Sequence, residues 1–255
     1  MCLITFRWQA DADTKLILCA NRDEFLHRPA VEMHAWENEE GVYAGKDLSQ
    51  GGTWLGVHQK GRFAALTNHR DMRTKGPADP ISRGSLVLDF LTADISALQY
   101  LQTLEQSAGL FAGYNLLVCD GENLAYYSNK SGQAPTLLDS GLYGLSNGLL
   151  NDPWPKVELA KQQLDQWLAT DNINTPPTHL LSSTALAADP LLPDTGIGLD
   201  MERVLSCQKI ITPNYGTRCS TGIIFSRTTI QIEEISWHSN GEEAGREFHD
   251  VPVTG

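Results

Sequence analysis

The sequence predicts an α+β fold, with two mainly antiparallel sheets packed face to face and helices outside them. Three observations predict it. Short apolar runs stand in pairs about polar turns, as in β-hairpins. The elements run in the order strands, two helices, strands, two helices and strands, and the strand–helix–strand alternation of parallel sheets is missing from this pattern. We expect a single domain over residues 1–255.

Each element rests on a local pattern of apolar and turn-forming residues. Hairpins are predicted from 3–8 with 15–20, 53–58 with 62–68, 114–120 with 124–128 and 221–225 with 228–235, and a further strand at 143–145. Helices are predicted over 86–91, 95–104 and 153–170, with a shorter one after Thr175. Asp94 is the expected N-cap of the second helix. We expect loops over 69–83 and 187–200, and an acidic tail from Glu233 that is frayed at its end.

Composition and charge exclude several classes of protein. The net charge of −12 argues against binding to nucleic acid or to an anionic membrane, because phosphates would be repelled. No apolar run approaches the roughly 18 residues that a membrane span needs. The five cysteines form no CxxC pair and no metal-ligand spacing, so we expect reduced thiols, no metal site and a cytoplasmic protein.

The first predicted hairpin brings polar residues to the start of the chain. If its turn centres near residues 11–12, Cys2 faces Asn21, and the run Asn21-Arg22-Asp23-Glu24 returns beside it. Loss of Met1 would place the Cys2 thiol and a free α-amine on one carbon, which is the arrangement of N-terminal hydrolases. The alternative is that Cys2 is a small apolar residue at the start of a strand.

A second feature is a local excess of basic residues. Six basic residues and two acidic ones lie between Lys60 and Arg83, a local charge of +4. A carboxylate or phosphate group could bind there, although a solvated loop explains the charge equally well. The predicted ligand-binding residues are Arg70, Arg73, Lys75, Arg83 and, from the glycine-dense stretch 51–56, Trp54.

In these motifs the chain resembles the NRDE-motif family, also called the transport-and-Golgi-organisation-two family. The likeness rests on Met1-Cys2, Asn21-Arg22-Asp23-Glu24 and Gly51–Gly56, and continues through Gly113-Tyr114-Asn115-Leu116, Gly144-Leu145-Ser146-Asn147, Pro153-Trp154-Pro155-Lys156 and Tyr215-Gly216-Thr217-Arg218. It implies an N-terminal-nucleophile hydrolase fold, a four-layer αββα sandwich similar to that of choloylglycine hydrolases and penicillin V acylases.

The resemblance also implies roles for single residues. Cys2 matches the nucleophile of those amidases, and Asp23 matches an aspartate that orients it. Asn147 matches an oxyanion donor, Asn68 falls near a second donor position, and Arg218 matches a late arginine near the nucleophile.

The chain departs from the amidase pattern in two places. The arginine that stands three residues before the aspartate in the amidases is Ala20 here, and Arg22 is displaced from that place. Cys219 stands where the family usually has serine.

Two functions follow from these observations. The first is a cysteine hydrolase of amides or thioesters that takes a small anionic or acyl substrate and requires no cofactor. The second is a carrier that binds haem or an acyl-CoA without turnover, as the family's association with haem trafficking and lipid homeostasis implies. A trafficking adaptor, the third alternative, finds no support in the residues.

Overall fold

The structure is a computed structural model that describes residues 2–170 and 173–254. In this part of the chain, 13 strands and four α-helices form. The strands are β1 Cys2–Trp8, β2 Thr14–Phe25, β3 Ala30–Ala35, β4 Val42–Asp47, β5 Leu55–His58, β6 Arg62–Asn68, β7 Tyr114–Cys119, β8 Leu124–Ser128, β9 Thr136–Leu137, β10 Gly141–Leu145, β11 Tyr215–Ser226, β12 Thr229–Trp237 and β13 Glu243–Pro252. The helices are α1 Gly84–Thr92, α2 Ala97–Glu105, α3 Pro155–Leu168 and α4 Leu199–Val204. None of the described helices is long and apolar enough to cross a membrane.

The first sheet contains the predicted N-terminal hairpin near its centre. Its strand order is β10-β1-β2-β11-β12-β13, and all of its pairs are antiparallel. Cys2 lies opposite Arg22, and Leu3 lies opposite Asn21. The predicted pairing of Cys2 with Asn21 is therefore wrong by one residue, because the turn at 9–13 is one position longer than the sequence pattern indicated.

The second sheet contains the middle of the chain. Its order is β3-β4-β5-β6-β7-β8-β9, again with antiparallel pairs throughout. Strands β3 and β4 had no counterpart in the sequence prediction. Strand β3 is half exposed and carries charged residues, so it lacks the continuous apolar run that marked the other strands.

The two sheets pack against each other with helices on both outer sides. The largest apolar cluster joins Ile4, Phe6 and Leu18 of the first sheet to Val57 and Leu117 of the second. A second cluster lies between the second sheet and α1 and α2, and a third lies between the first sheet and α3. The layers are therefore α, β, β and α, and the predicted α+β class with a four-layer αββα sandwich is confirmed.

Three local predictions are wrong. Helix α2 is capped by Ser96, which forms a capping box with Gln99, and not by Asp94. No helix forms directly after Thr175, where two prolines at 176–177 interrupt the backbone pattern. The end of the predicted loop 187–200 belongs to helix α4. The acidic tail is not frayed, because it forms strand β13, an edge strand whose charged side chains reach solvent.

Candidate functional site

A polar cleft opens where β1 begins and β2 ends, between the two sheets. Its volume is about 290 Å³. The residues that line it include a thiol, an amide, two carboxylates, three guanidinium groups and an indole. They are Cys2, Asn68, Asp23, Glu24, Arg22, Arg28, Arg83 and Trp54. Six residues predicted from the sequence for catalysis or ligand binding thus meet in one cavity.

Cys2 carries the half-buried thiol of this cleft, whereas the other four cysteines are buried. Burial raises the pKa of the Cys2 thiol, the charge of Asp23 raises it further, and the charge of Arg22 opposes both. The thiol is therefore protonated at neutral pH and needs a base to become a nucleophile. The expected removal of Met1 concerns a residue outside the described residues.

Asp23 lies behind Cys2 and is almost fully buried. Its Oδ1 accepts a hydrogen bond of 2.7 Å from the hydroxyl of Thr217, and its carbonyl oxygen accepts one of 3.0 Å from the hydroxyl of Tyr215. Burial raises the pKa of the Asp23 carboxyl, while the positive charge of Lys156 opposes that rise. The carboxyl group is thus held in place by a strand neighbour and balanced by a buried lysine.

Lys156 had no predicted role, although it belongs to the quoted Pro-Trp-Pro-Lys motif. Its side chain is 3% exposed, and its Nζ has no hydrogen-bond partner among residues 2–170 and 173–254. Burial lowers the pKa of Lys156, and the charge of Asp23 opposes the change. The signal was its spacing, since Lys156, Ala160 and Leu164 recur every four residues on the apolar face of α3.

Arg22 and Arg28 share one carboxylate at the wall of the cleft. The Nη2 of Arg22 lies 3.2 Å from Oδ2 of Asp47, and the Nε of Arg28 lies 2.5 Å from the same oxygen. Burial alone would raise the pKa of Asp47, but the hydrogen bond and charge of Arg28 hold it below its usual value. The guanidinium of Arg22 also lies 4.0 Å above the ring of Trp54. Both cations are therefore paired with the same carboxylate, and the three groups together keep one net positive charge.

Asn21 points to the other side of β2 from Arg22. Its Nδ2 donates to the carbonyl oxygens of Leu181 and Gln208 at 2.8 and 2.9 Å, and its Oδ1 accepts from the hydroxyl of Ser220 at 2.6 Å. These bonds tie β2 to two loops of the chain. They do not bring the Asn21 side chain into the cleft.

The two predicted oxyanion donors lie next to each other. Asn68 is half-buried and lines the cleft, whereas Asn147 is fully buried. The Nδ2 of Asn147 donates a 2.8 Å hydrogen bond to the carbonyl oxygen of Asn68. Asn147 thus fixes the end of β6 that carries Asn68. Donation by either amide to a substrate oxyanion stays a prediction.

Arg218 lies on strand β11 and contacts the segment that follows the Asn-Arg-Asp-Glu run. Its Nη1 donates to the carbonyl oxygens of Phe25, Leu26 and Arg28 at 2.9–3.2 Å. The guanidinium lines a small neighbouring cavity with Cys219 and Glu234 instead of the cleft that holds Cys2. A role for Arg218 beside the nucleophile stays a prediction.

The predicted basic segment 60–83 is dispersed by the fold. Arg70 is buried and pairs with Glu202 at 2.6 Å, while Arg73 is exposed and pairs with Asp71 at 2.8 Å. Lys75 is exposed on the same segment. Arg83 alone of these four lines the cleft of Cys2, so the local charge of +4 does not act there as a single patch. Ligand binding by Arg70, Arg73 and Lys75 stays a prediction.

A second cavity adjoins the cleft. Its volume is about 530 Å³, and it shares Glu24, Asn68, Arg83 and Ala112 with the cleft. Apolar side chains form much of its wall, among them Phe25, Met72, Ile197, Met201 and Leu205. Within residues 2–170 and 173–254, no group of three His, Cys, Asp or Glu side chains is placed to hold a metal ion.

Comparison with known proteins identifies the family. The model of the family described as Transport and Golgi organisation 2 matches residues 1–238. The chain belongs to this family. It is 37% identical to the Transport and Golgi organization protein 2 homolog of Bos taurus over 247 residues, which cover 88% of each chain. It is 35% identical to the Homo sapiens homolog over 246 residues, again 88% of each. The family predicted from the motifs is confirmed.

More distant similarity is found among solved structures. The Caenorhabditis elegans N-acylethanolamine-hydrolyzing acid amidase ortholog matches with a TM-score of 0.49 and 11% identity, covering 88% of this chain and 92% of that one. Penicillin V acylase from Agrobacterium tumefaciens matches with a TM-score of 0.44 and 12% identity, covering 98% of this chain and 86% of that one.

Proposed function

We propose that the protein is a cysteine hydrolase of amides or thioesters, with Cys2 as the nucleophile. The observation that carries the proposal is the position of its thiol. Cys2 is the half-buried cysteine among the five, it lies at the start of β1, and it opens on a polar cleft with Asn68 and Arg83 at its wall. Asp23 lies behind it as a buried carboxyl group.

The reaction needs a base, because burial keeps the thiol protonated. In a chain that begins at Cys2, the neutral α-amine takes the thiol proton while sulfur bonds to the substrate carbonyl carbon. The carbon–nitrogen or carbon–sulfur bond then breaks as the ammonium group returns the proton to the leaving group. Water attacks the thioester on Cys2, the acid departs, and the thiol regains its proton.

The oxyanion formed during attack requires donors. Asn68 and Asn147 are the proposed pair; Asn68 lines the cleft, and the Nδ2 of Asn147 donates a hydrogen bond to the carbonyl oxygen of Asn68. A single donor of this kind stabilises a transition state by about 3 kcal/mol. Asp23 is proposed to orient Cys2 and its amine, with Thr217 holding the carboxyl group.

Intact mass spectrometry tests this proposal. We expect the purified protein to lack Met1 and to gain one dodecanoyl group during reaction with 4-nitrophenyl dodecanoate. Cys2→Ala should gain none, whereas the matched variant Cys219→Ser should label like the wild type, because Cys219 is buried outside the cleft. Retention of Met1 in the native protein would exclude the α-amine as base. Equal labelling of Cys2→Ala would exclude Cys2 as the nucleophile.

The second candidate function is a carrier of an acyl-CoA or haem. The size and apolar wall of the cavity beside the cleft favour it, since such a cavity can hold an apolar ligand without any reaction. Titration of Cys2→Ala with hemin and with dodecanoyl-CoA tests it. Saturable micromolar binding, without turnover by the wild type, would favour the carrier over the hydrolase. Absence of binding would exclude it.

A further inference from the structure

The cleft and the apolar cavity adjoin each other and differ in chemical character. Asn68 and Arg83 belong to the walls of both. The cleft side carries the thiol of Cys2 and charged groups, and the cavity side carries side chains such as Met201 and Leu205. A ligand that fills both must therefore be apolar at one end and polar at the other.

Arg83 differs from the other arginines of this region. Arg22 and Arg28 pair with Asp47, and Arg70 pairs with Glu202. The Nη1 of Arg83 donates to the carbonyl oxygen of Gly113 at 2.8 Å. In the described ranges 2–170 and 173–254, no carboxylate oxygen comes within 4.0 Å of its guanidinium nitrogens. No ion pair among the described residues therefore takes up its positive charge, although the charge of Glu24 acts on it.

The position of Arg83 makes this charge costly to the free protein. The residue is half-buried where the two cavities meet, and burial lowers the pKa of its guanidinium, which means that the charged form is poorly solvated. An anion bound there would offset the cost and would form charge-assisted hydrogen bonds with the free guanidinium nitrogens.

The position of Arg83 in the cleft of Cys2 limits how far the anionic group of the ligand can be from its carbonyl group. Arg83 and Cys2 line the same small cleft, and the charge of Cys2 acts on Arg83. An anion on Arg83 and a carbonyl carbon placed at Cys2 would therefore lie in the same small cleft. The phosphates of an acyl-CoA lie at the far end of a long pantetheine arm and do not meet this requirement.

We propose that the preferred substrate is an N-acyl amino acid, whose acyl chain occupies the apolar cavity and whose carboxylate pairs with Arg83. This inference rests on the proposed function, because the position of Cys2 as nucleophile locates the scissile carbonyl. It adds the chemical class of the substrate and names Arg83 as the residue that determines specificity for it.

Calorimetry on the full chain with Cys2→Ala tests the class without turnover. The probes are N-dodecanoylglycine, its uncharged analogue N-dodecanoylethanolamine, and dodecanoyl-CoA, each below its micellar concentration. We expect N-dodecanoylglycine to bind at least about tenfold more tightly than the ethanolamide. Equal affinities for these two ligands, or a clear preference for dodecanoyl-CoA, would overturn the proposal.

Substitution of Arg83 tests whether this residue recognises the carboxylate of the ligand. In the Cys2→Ala background, Arg83→Met should reduce the preference to about twofold or less, and Arg83→Lys should keep part of it because the charge remains. The matched control Arg246→Met lies on the edge strand β13 and should keep the full preference. An unchanged preference in Arg83→Met would overturn the assignment.

A substitution in the apolar cavity provides a test that does not depend on whether the Arg83 variants fold. Met201 is 43% exposed at the wall of the apolar cavity, so Met201→Asp should be tolerated. It should weaken N-dodecanoylglycine and N-dodecanoylethanolamine by the same factor, since both carry the same chain. No weakening would overturn the placement of the acyl chain.

Failure of this inference can be told apart from failure of the proposed function. Preferential binding of N-dodecanoylglycine to Cys2→Ala, with no hydrolysis by the wild type, would retain the ligand class and remove the hydrolase. Hydrolysis of both amides at equal rates would retain the hydrolase and remove the role of Arg83. If Arg83→Met changed only the pH dependence of Cys2 alkylation, the guanidinium would serve the thiol and the proposal would be wrong.

Discussion

The two faces of strand β2 place the residues of one motif in different surroundings. Arg22 and Glu24 line the cleft between the sheets. Asn21 bonds to two loop carbonyls on the side of α3, and Asp23 meets Thr217 and the charge of Lys156 while it also borders the cleft. Because side chains alternate along a strand, a single run of four residues serves both sides of the sheet. One half of the motif forms buried hydrogen bonds within the protein, and the other half lies on the cleft side.

The largest effect is expected on the α3 side. Asn21→Leu removes the donors to Leu181 and Gln208 and the acceptor of Ser220, and leaves these buried groups without partners. The free energy of unfolding should fall by about 3 kcal/mol or more. Urea denaturation measures this loss. A loss below about 1 kcal/mol would show that Asn21 is not a structural anchor of β2.

A second prediction concerns the pH dependence of stability at Asp23. Since its folded-state pKa is raised, this group stabilises the folded protein at pH values below its ordinary pKa of about 4, and the contribution is lost as pH rises through the folded-state pKa. Asp23→Asn should therefore gain stability relative to the wild type over that interval, with a slope of at most about 1.4 kcal/mol per pH unit.

Lys156→Met provides the control for this prediction. It removes the cation that lowers the pKa of Asp23, so the pH interval of the stability loss should move upward. Urea denaturation at a series of pH values, with the double variant as reference, measures both changes. If the curves of wild type and Asp23→Asn ran parallel at every pH, the Asp23 carboxyl would have an unshifted pKa.

Residues close in sequence account for what could be predicted. The hairpin that brings Asp23 back to Cys2 is local in sequence, and its paired apolar runs predict it. The partners of Arg22 and Arg70 are Asp47 and Glu202, which lie 25 and 132 residues away in the chain. Pairing over such separations depends on packing of the sheets. No spacing rule could therefore reveal that Arg22 and Arg70 form ion pairs while Arg83 forms none among the described residues.

A smaller effect is expected on the cleft side of β2. Arg22→Met removes one of two guanidinium groups on Asp47 and the cation above Trp54, but Arg28 keeps the carboxylate paired. The free energy of unfolding should fall by about 1 kcal/mol. The same urea titration measures it. A loss as large as that of Asn21→Leu would contradict the division of the motif into two halves.

The smallest effect is expected at Arg73, which lies outside both halves. Its side chain is 60% exposed, and its ion pairs with Asp71 and Asp194 are open to solvent, where water and salt screen them. Arg73→Met should leave the urea midpoint unchanged at both low and high ionic strength. A shift of the midpoint that disappears in high salt would show that ion pairs hold this segment to the protein. It would also make Arg73 a candidate for binding an anion.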